Sequence, residues 1–185
     1  MSVGLPKRFS PERLAAQEST RGGTLTGTLD ANSLPRLCEM LATRETAPVH
    51  VELSARRDDA KRLVLTGLAS GKLSLTCQRC MEPVTLPVDA NIALAVVRDE
   101  EAARNLPAEL DPLLLDAGNE ADLPALVEDE LILALPPVPV HANVADCGER
   151  VRYAGNAGDD GEEHDGNAQR ENPFAVLKKL KNGKD

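Results

Sequence analysis

Two adjoining stretches of alternating side chains constrain the fold of this chain more than any other feature of its sequence. In residues 63–77 every second position carries Leu, Ala, Gly or Cys, and residues 84–96 resume the alternation with Val, Leu, Ala and Ile. A period of two residues is typical of a half-buried β-strand, so the two stretches predict one long β-hairpin. Gly67 and Gly71 have no side chain to pack and are expected to mark a bend or bulge in its first strand.

Shorter patterns on either side of the hairpin add strands and helices. Strands are predicted at residues 23–30, 49–56 and 111–115. Apolar residues at helical spacing predict helices near Ser33–Thr46 and Asp122–Leu135, each capped by its first residue, and a short helix is expected after Ser10. The sequence therefore predicts an α+β fold, in which a curved, mainly antiparallel sheet carries the long hairpin and is covered by two or three helices.

The composition divides the chain into three parts. Residues 1–150 carry the strand and helix patterns and are expected to form one α+β core domain. Residues 151–170 read as an acidic, glycine-rich linker, and residues 171–185 as a basic amphipathic segment. These last two parts are expected to form a flexible C-terminal tail, whose segment 172–181 becomes a helix on its target. The alternative is that this helix docks on its own domain and completes the core.

Charge and aromatic content limit the ways in which the chain can bind nucleic acid. The formal net charge of -9 repels a phosphate backbone, so a nucleic-acid contact needs a local basic patch or a partner protein. The aromatic residues are Phe9, Tyr153 and Phe174, which do not form a stacking platform on any predicted strand. No run of eighteen apolar residues and no apolar leader is present, so we expect a cytoplasmic protein without a membrane contact.

Four cysteines offer thiol or metal chemistry. Cys77 and Cys80 form a CxxC at the predicted hairpin tip, where two thiolates can converge on one tetrahedral metal ion. Cys147 and His141 are the best candidates for the remaining ligands, which predicts one structural zinc ion as the cofactor. The alternatives are that Cys77 and Cys80 only pack in the turn, or that the CxxC is a redox pair. Cys38 lies in the apolar stripe of a predicted helix and reads as a buried hydrophobic residue.

Catalytic motifs are absent from the sequence. We find no phosphate-binding loop, nucleophile elbow, zinc-protease motif or dinucleotide fingerprint, so no enzymatic activity and no small-molecule substrate are expected. Glu128, Asp129 and Glu130 are adjacent in a predicted helix, where side chains diverge, and read as a solvated face. Arg79, at the hairpin tip, is a candidate contact to phosphate or to a carboxylate of a partner.

Three segments together resemble the YceD family of large ribosomal RNA subunit accumulation proteins. They are LTCQRCMEPVTLPV, VEDELILALPPVPVH and NPFAVLKKLK, with a cysteine between the last two. The resemblance runs from about Gly23 to Leu180, and the acidic linker appears expanded in this chain. The family-like residues, whose chemical roles stay open, are Cys77, Arg79, Cys80, Glu128, Asp129, Glu130, Pro139, His141, Cys147, Asn172, Pro173 and Phe174.

The resemblance implies a non-enzymatic ribosome-biogenesis factor that supports synthesis, processing or accumulation of 23S-type ribosomal RNA. Its expected partner is a precursor of the large ribosomal subunit, contacted through ribosomal RNA or through a ribosomal or assembly protein. Two alternatives are a zinc-stabilised adaptor with an unrelated partner and a CxxC thiol redox protein. The candidate contact residues in the C-terminal segment are Asn172, Pro173, Phe174, Leu177, Lys178, Lys179 and Lys181.

Overall fold

The computed structural model of the chain describes residues 5–17, 23–45, 48–115 and 117–148. The strands are β1 (Arg8–Phe9), β2 (Gly23–Leu29), β3 (Val49–Arg57), β4 (Leu63–Thr76), β5 (Pro83–Val97), β6 (Asp111–Leu114) and β7 (Ala121–Asp122). The α-helices are α1 (Pro11–Ala15), α2 (Pro35–Met40), α3 (Glu100–Arg104) and α4 (Leu123–Ala134). Two short 3-10 helices, Ala31–Ser33 and Val144–Cys147, complete the described elements.

Five strands form the main sheet in the order β2-β3-β4-β5-β6. All of its neighbours pair antiparallel except β5 and β6, which pair parallel because α3 and the following loop return the chain to the same end of the sheet. A separate two-stranded sheet joins β1 to β7. The predicted α+β class with a mainly antiparallel sheet is confirmed.

The long hairpin is formed by β4 and β5, as predicted. Its register runs from Val64 opposite Ala95 to Thr76 opposite Pro83 without interruption, so of the bend or bulge predicted at Gly67 and Gly71, the bulge is absent. Gly67 instead permits a close approach between strands. A Cβ atom there would lie against the carbonyl oxygen of Glu52 and 2.9 Å from the Cα of Leu53 in β3.

The main core lies between the sheet and the helices. Alternate residues of β3 point into the core. The residues opposite them on β4, and those opposite in turn on β5, continue the same apolar rows across the sheet. α1 packs against β3 and β4, while α4 packs against β4 and β5 and also contacts α2. The fully buried large side chains of this core include Leu34, Leu37, Leu53, Leu65, Leu73, Leu123 and Leu131. Phe9 is the one aromatic ring among the described buried residues of this core, and the rest of its large side chains are aliphatic.

The second helix is shorter than the predicted helix Ser33–Thr46. It covers Pro35–Met40, and Ser33 does not cap it, because the Ser33 hydroxyl donates to the carbonyl oxygen of Asp30. Proline at the first helical position fixes the start, and Leu41 turns to an extended conformation that ends the helix. Cys38 lies in this helix but is only partly buried.

Glu128 corrects the prediction of a solvated acidic face on the α4 helix. Its side chain is only 4% exposed, and one of its oxygens accepts hydrogen bonds from the backbone N–H groups of Arg36 and Leu37 at 2.7 and 3.1 Å. Its other oxygen accepts two bonds from the Arg36 guanidinium, at 3.0 Å each. A residue on α4 therefore supplies the cap that α2 lacks. Asp129 remains exposed, and Glu130 is half-buried.

A small second cluster of buried residues lies at the tip of the hairpin. It contains Leu75, Cys77, Cys80, Val84 and Cys147, and we call it the corner cluster. Residues 151–185, for which the linker and the basic segment were predicted, lie outside the described residues. No helix in the described part of the chain has both the length and the apolar character needed to cross a bilayer.

Candidate metal centre

The turn between β4 and β5 brings the two cysteines of the CxxC together. The backbone N–H of Cys77 donates to the carbonyl oxygen of Glu82 at 2.9 Å, and the N–H of Met81 donates to the carbonyl of Cys77 at 2.8 Å. Met81 adopts a positive φ of 63°, which closes the turn. Cys77 is fully buried and Cys80 is 3% exposed, so both thiols point into the protein.

The proline-rich segment after α4 carries the other two candidate ligands to this turn. α4 ends before Pro136, and the extended segment that follows runs alongside the hairpin. The carbonyl oxygen of Pro139 accepts a hydrogen bond of 2.8 Å from the N–H of Gln78, which fixes the segment against the turn. His141 comes two residues later, and the 3-10 helix Val144–Cys147 returns the last thiol to the same place.

The four predicted ligands lie within 4.8 Å of one another. The sulfurs of Cys77 and Cys147 are 4.0 Å apart, and Nδ1 of His141 is 3.5 Å from the sulfurs of Cys80 and of Cys147. Around a tetrahedral zinc ion with bonds of about 2.3 Å to sulfur and about 2.1 Å to nitrogen, two sulfurs lie about 3.8 Å apart and a sulfur and a nitrogen about 3.6 Å apart. The three distances given above lie close to those edges.

Hydrogen bonds around Cys77 favour its thiolate form. Burial would raise the pKa of the thiol, but hydrogen bonds from the backbone of His141, Arg79 and Cys80 outweigh burial and lower the pKa to about 5. The pKa of Cys147 is raised, because burial and the neighbouring thiols Cys80 and Cys77 disfavour a second negative charge. Thiolates are the form that binds zinc, and a cation placed among these sulfurs would relieve their repulsion.

Arg79 lies at the edge of the cluster. Its side chain is exposed, and its Nη1 atom is 3.8 Å from the sulfur of Cys147. The guanidinium therefore contacts the thiol cluster, a contact that the sequence did not suggest.

The other predicted site residues are not all within the described residues. The set Cys77, Cys80, His141 and Cys147 is brought together as predicted. The candidates Asn172, Pro173, Phe174, Leu177, Lys178, Lys179 and Lys181 lie outside the described part of the chain.

Sequence reasoning missed the hydrogen bond from Gln78 to Pro139. The run of prolines was the available signal, because prolines keep their carbonyl groups free to accept bonds from a neighbouring segment.

The fold and this cluster define a small α+β protein with three buried cysteines and a histidine at a hairpin tip. The family model described as "Large ribosomal RNA subunit accumulation protein YceD" matches residues 65–181. This range includes nearly all of the hairpin and all four predicted metal ligands. The chain belongs to the YceD family.

A curated relative extends the similarity to nearly the whole chain. The large ribosomal RNA subunit accumulation protein YceD of Haemophilus influenzae is 34% identical over 179 residues, which cover 97% of each protein. No solved structure gives a significant match.

Proposed function

We propose that this protein is a non-enzymatic, cytoplasmic ribosome-biogenesis factor that supports accumulation of the 23S-type RNA of the large ribosomal subunit. The observation that carries the proposal is the 34% identity, over 97% of both chains, to a relative named for large ribosomal RNA subunit accumulation. The partner we propose is a precursor of the large subunit, contacted through ribosomal RNA or through a ribosomal or assembly protein.

Binding, and not catalysis, is supported by the arrangement of the reactive side chains. Cys77, Cys80 and Cys147 are all buried, and together with His141 they face one another across the corner cluster. Four protein ligands fill a tetrahedral structural zinc site, whereas a catalytic zinc keeps one position for water or substrate. The cluster is suited to stabilising a fold, and it leaves no ligand position for a reaction.

The cofactor we propose is one structural zinc ion held by Cys77, Cys80, His141 and Cys147. The ion would join the hairpin tip to the proline-rich segment and to the 3-10 helix. Purified protein should contain about one equivalent of zinc, measured by atomic emission. Protein purified without added chelator that contains no stoichiometric metal would contradict this part of the proposal.

A deletion strain tests the proposed function. Loss of the protein should lower the ratio of mature 23S-type to 16S-type RNA and increase unprocessed 23S-type ends, measured by primer extension and gel analysis. A plasmid copy of the wild-type gene should restore the ratio. Unchanged RNA ratios and ends in the deletion strain would refute the proposal. Bound zinc in a protein that does not co-sediment with large-subunit precursors would favour the adaptor alternative.

The C-terminal segment is proposed as a recognition element. Its Phe174, Leu177 and Leu180 fall at helical spacing beside Lys178 and Lys181. A helix this short needs a partner surface to bury its apolar face. Truncation after Gln169 should abolish complementation while the melting temperature changes little. A large drop in melting temperature would instead show that the segment belongs to the folded core.

A further inference from the structure

Basic side chains converge at the end of the sheet opposite the hairpin tip. A cleft of about 520 Å³ opens there, between the β3–β4 turn, the end of β5 and the loop before β7. Its charged lining residues are Arg57, Lys61, Arg62, Arg98 and Glu12, so four cations face one carboxylate. We call this site the basic cleft. The net charge of the whole chain is -9, so this cleft is a positively charged site on a protein that is negative overall.

The β3–β4 turn holds part of this lining in place. The Asp58 carboxylate accepts hydrogen bonds from the backbone N–H of Arg62 at 2.8 Å and from its Nε at 2.7 Å. The N–H of Lys61 donates to the carbonyl of Asp58 at 2.9 Å, and Lys61 itself has a positive φ of 60°. These hydrogen bonds fix the guanidinium of Arg62 and the backbone of Lys61 before any ligand binds.

Two of the four cations are paired with carboxylates, and three of the four, including the paired Arg57, are exposed. Arg57 forms an ion pair with Glu12 at 2.6 Å, and Arg62 pairs with Asp58. An arginine has five N–H donors, so Arg57 and Arg62 each keep further donors for a ligand besides those that bond the carboxylate. Lys61 and Arg98 are exposed and line the same cleft from two different strand ends.

We propose that the basic cleft binds backbone phosphates of RNA. This inference rests on the proposed function, which supplies an RNA-containing partner, and it assigns the contact to the core domain. Fixed arginines and lysines around a concave site are the groups that bind phosphate oxygens. Among the described residues, no aromatic side chain lines the cleft, so those residues can contact the RNA backbone but offer no ring on which a base could stack.

Charge reversal at Lys61 and Arg98 tests the inference. The probe is a fluorescein-labelled RNA duplex of about 20 base pairs, titrated by anisotropy across a salt series. Lys61→Glu combined with Arg98→Glu should weaken binding by at least about tenfold at low salt. The slope of log Kd against log salt should fall by about 2, because each lost phosphate contact removes about 0.9.

Lys72 provides the matched control. It is an exposed lysine in β4, outside the cleft, and Lys72→Glu makes the same change of charge per residue as each of the two cleft substitutions. This variant should bind the duplex within about twofold of wild type, and both variants should keep the wild-type melting temperature. Equal weakening per reversed charge in both variants would show an effect of net charge alone and would overturn the inference. Absence of binding by the wild-type protein would also overturn it.

The deletion strain separates this inference from the proposed function. If the double variant fails to restore 23S-type RNA while Lys72→Glu restores it, both stand. If the double variant restores it fully, the basic cleft is not the RNA contact, although the function stands. If the wild-type protein binds no RNA but the double variant alone stops co-sedimenting with large-subunit precursors, the cleft binds an acidic protein surface and the RNA inference is wrong.

Discussion

The main core and the corner cluster hold the same hairpin by different means. Midway along the hairpin, aliphatic residues of β3, β4 and β5 are covered by α1 and α4. At its tip, the buried residues are only Leu75, Cys77, Cys80, Val84 and Cys147 among those described. Three of those five residues are thiols that face a histidine.

This difference separates burial from cross-linking as sources of stability. Apolar area stabilises at about 25 cal/mol per Å², so a large aliphatic core needs no further support. A cluster of a few small side chains buries too little area to order three segments, and small structural units commonly use a metal for that purpose. The corner cluster should therefore depend on the proposed zinc ion, and the main core should not.

The largest effect is expected in the main core. Leu65 is fully buried in β4, and Leu65→Ala should lower the free energy of unfolding by about 3–4 kcal/mol through lost burial and a residual cavity. Urea denaturation checks this. Leu133→Ala is the control, because Leu133 on α4 is 78% exposed and should cost less than about 0.5 kcal/mol. Similar losses in the two variants would refute our assignment of the core.

Metal removal tests the other half of the comparison. Cys147→Ser, or chelation of the wild-type protein, should cost about 2–3 kcal/mol, as expected for a ligand present well above its dissociation constant. Hydrogen exchange should localise the loss. The N–H groups of Cys77, Gln78 and Met81 should lose protection, while β3 should keep it. In Cys38→Ser, a cysteine outside the cluster, protection at the tip should be unchanged. Uniform loss across the sheet after chelation would contradict a local role of the metal.

Glu128 connects two helices and should have an intermediate effect. Glu128→Ala removes the cap of α2 and the partner of Arg36, and should cost about 1–2 kcal/mol in thermal or chemical unfolding. Asp129→Ala removes only an exposed ion pair with Arg36 and should cost less than about 1 kcal/mol. The capping role would be disproved if Asp129→Ala cost as much as Glu128→Ala.

The smallest effect is a dependence on pH at the β3–β4 turn. Burial would raise the pKa of Asp58, but the hydrogen bonds from Arg62 outweigh it and hold the pKa below its ordinary value. A carboxylate with a lowered pKa stabilises the fold above its unfolded pKa of about 3.9, and that contribution disappears as pH falls through the folded pKa. The stability of Asp58→Asn relative to wild type should therefore improve as pH is lowered below about 4. Urea denaturation of both proteins at a series of pH values measures this, and a stability difference that stays constant as the pH is lowered would contradict the role of Asp58.

The parts of the fold that the sequence predicted depend on local patterns. The alternation in residues 63–77 and 84–96 located the hairpin, and the spacing of Cys77 and Cys80 placed them at its tip. His141 and Cys147 were predicted as the best candidates for the remaining ligands, since the proline-rich segment could return them to the hairpin. The relative positions of the four ligands could not be predicted from the sequence. They depend on tertiary contacts, such as the hydrogen bond from Gln78 to Pro139 that holds the proline-rich segment against the hairpin turn.

The parts that were missed depend on contacts between distant segments. An acidic triplet in a helix looks solvent-exposed from sequence, yet Glu128 is buried because the start of α2 needs an acceptor. The helix expected to reach Thr46 ends at Met40 because Leu41 adopts an extended conformation, which the apolar spacing of the sequence did not indicate. The basic cleft was missed because its cations come from the end of β3, the β3–β4 turn and the residue after β5, and the sequence alone does not bring Arg98 next to Arg57, Lys61 and Arg62.

The cap that Glu128 provides also sets an order of events during synthesis. The carboxylate and the N–H of Arg36 are 92 residues apart in the chain. Ribosomes add about 5–20 residues per second, so the start of α2 waits on the order of 5–20 seconds for its acceptor to emerge. A six-residue helix cannot persist alone for that time. We therefore expect nascent chains that end before α4 to lack α2, whereas β3, β4 and β5 can already pair along most of their length.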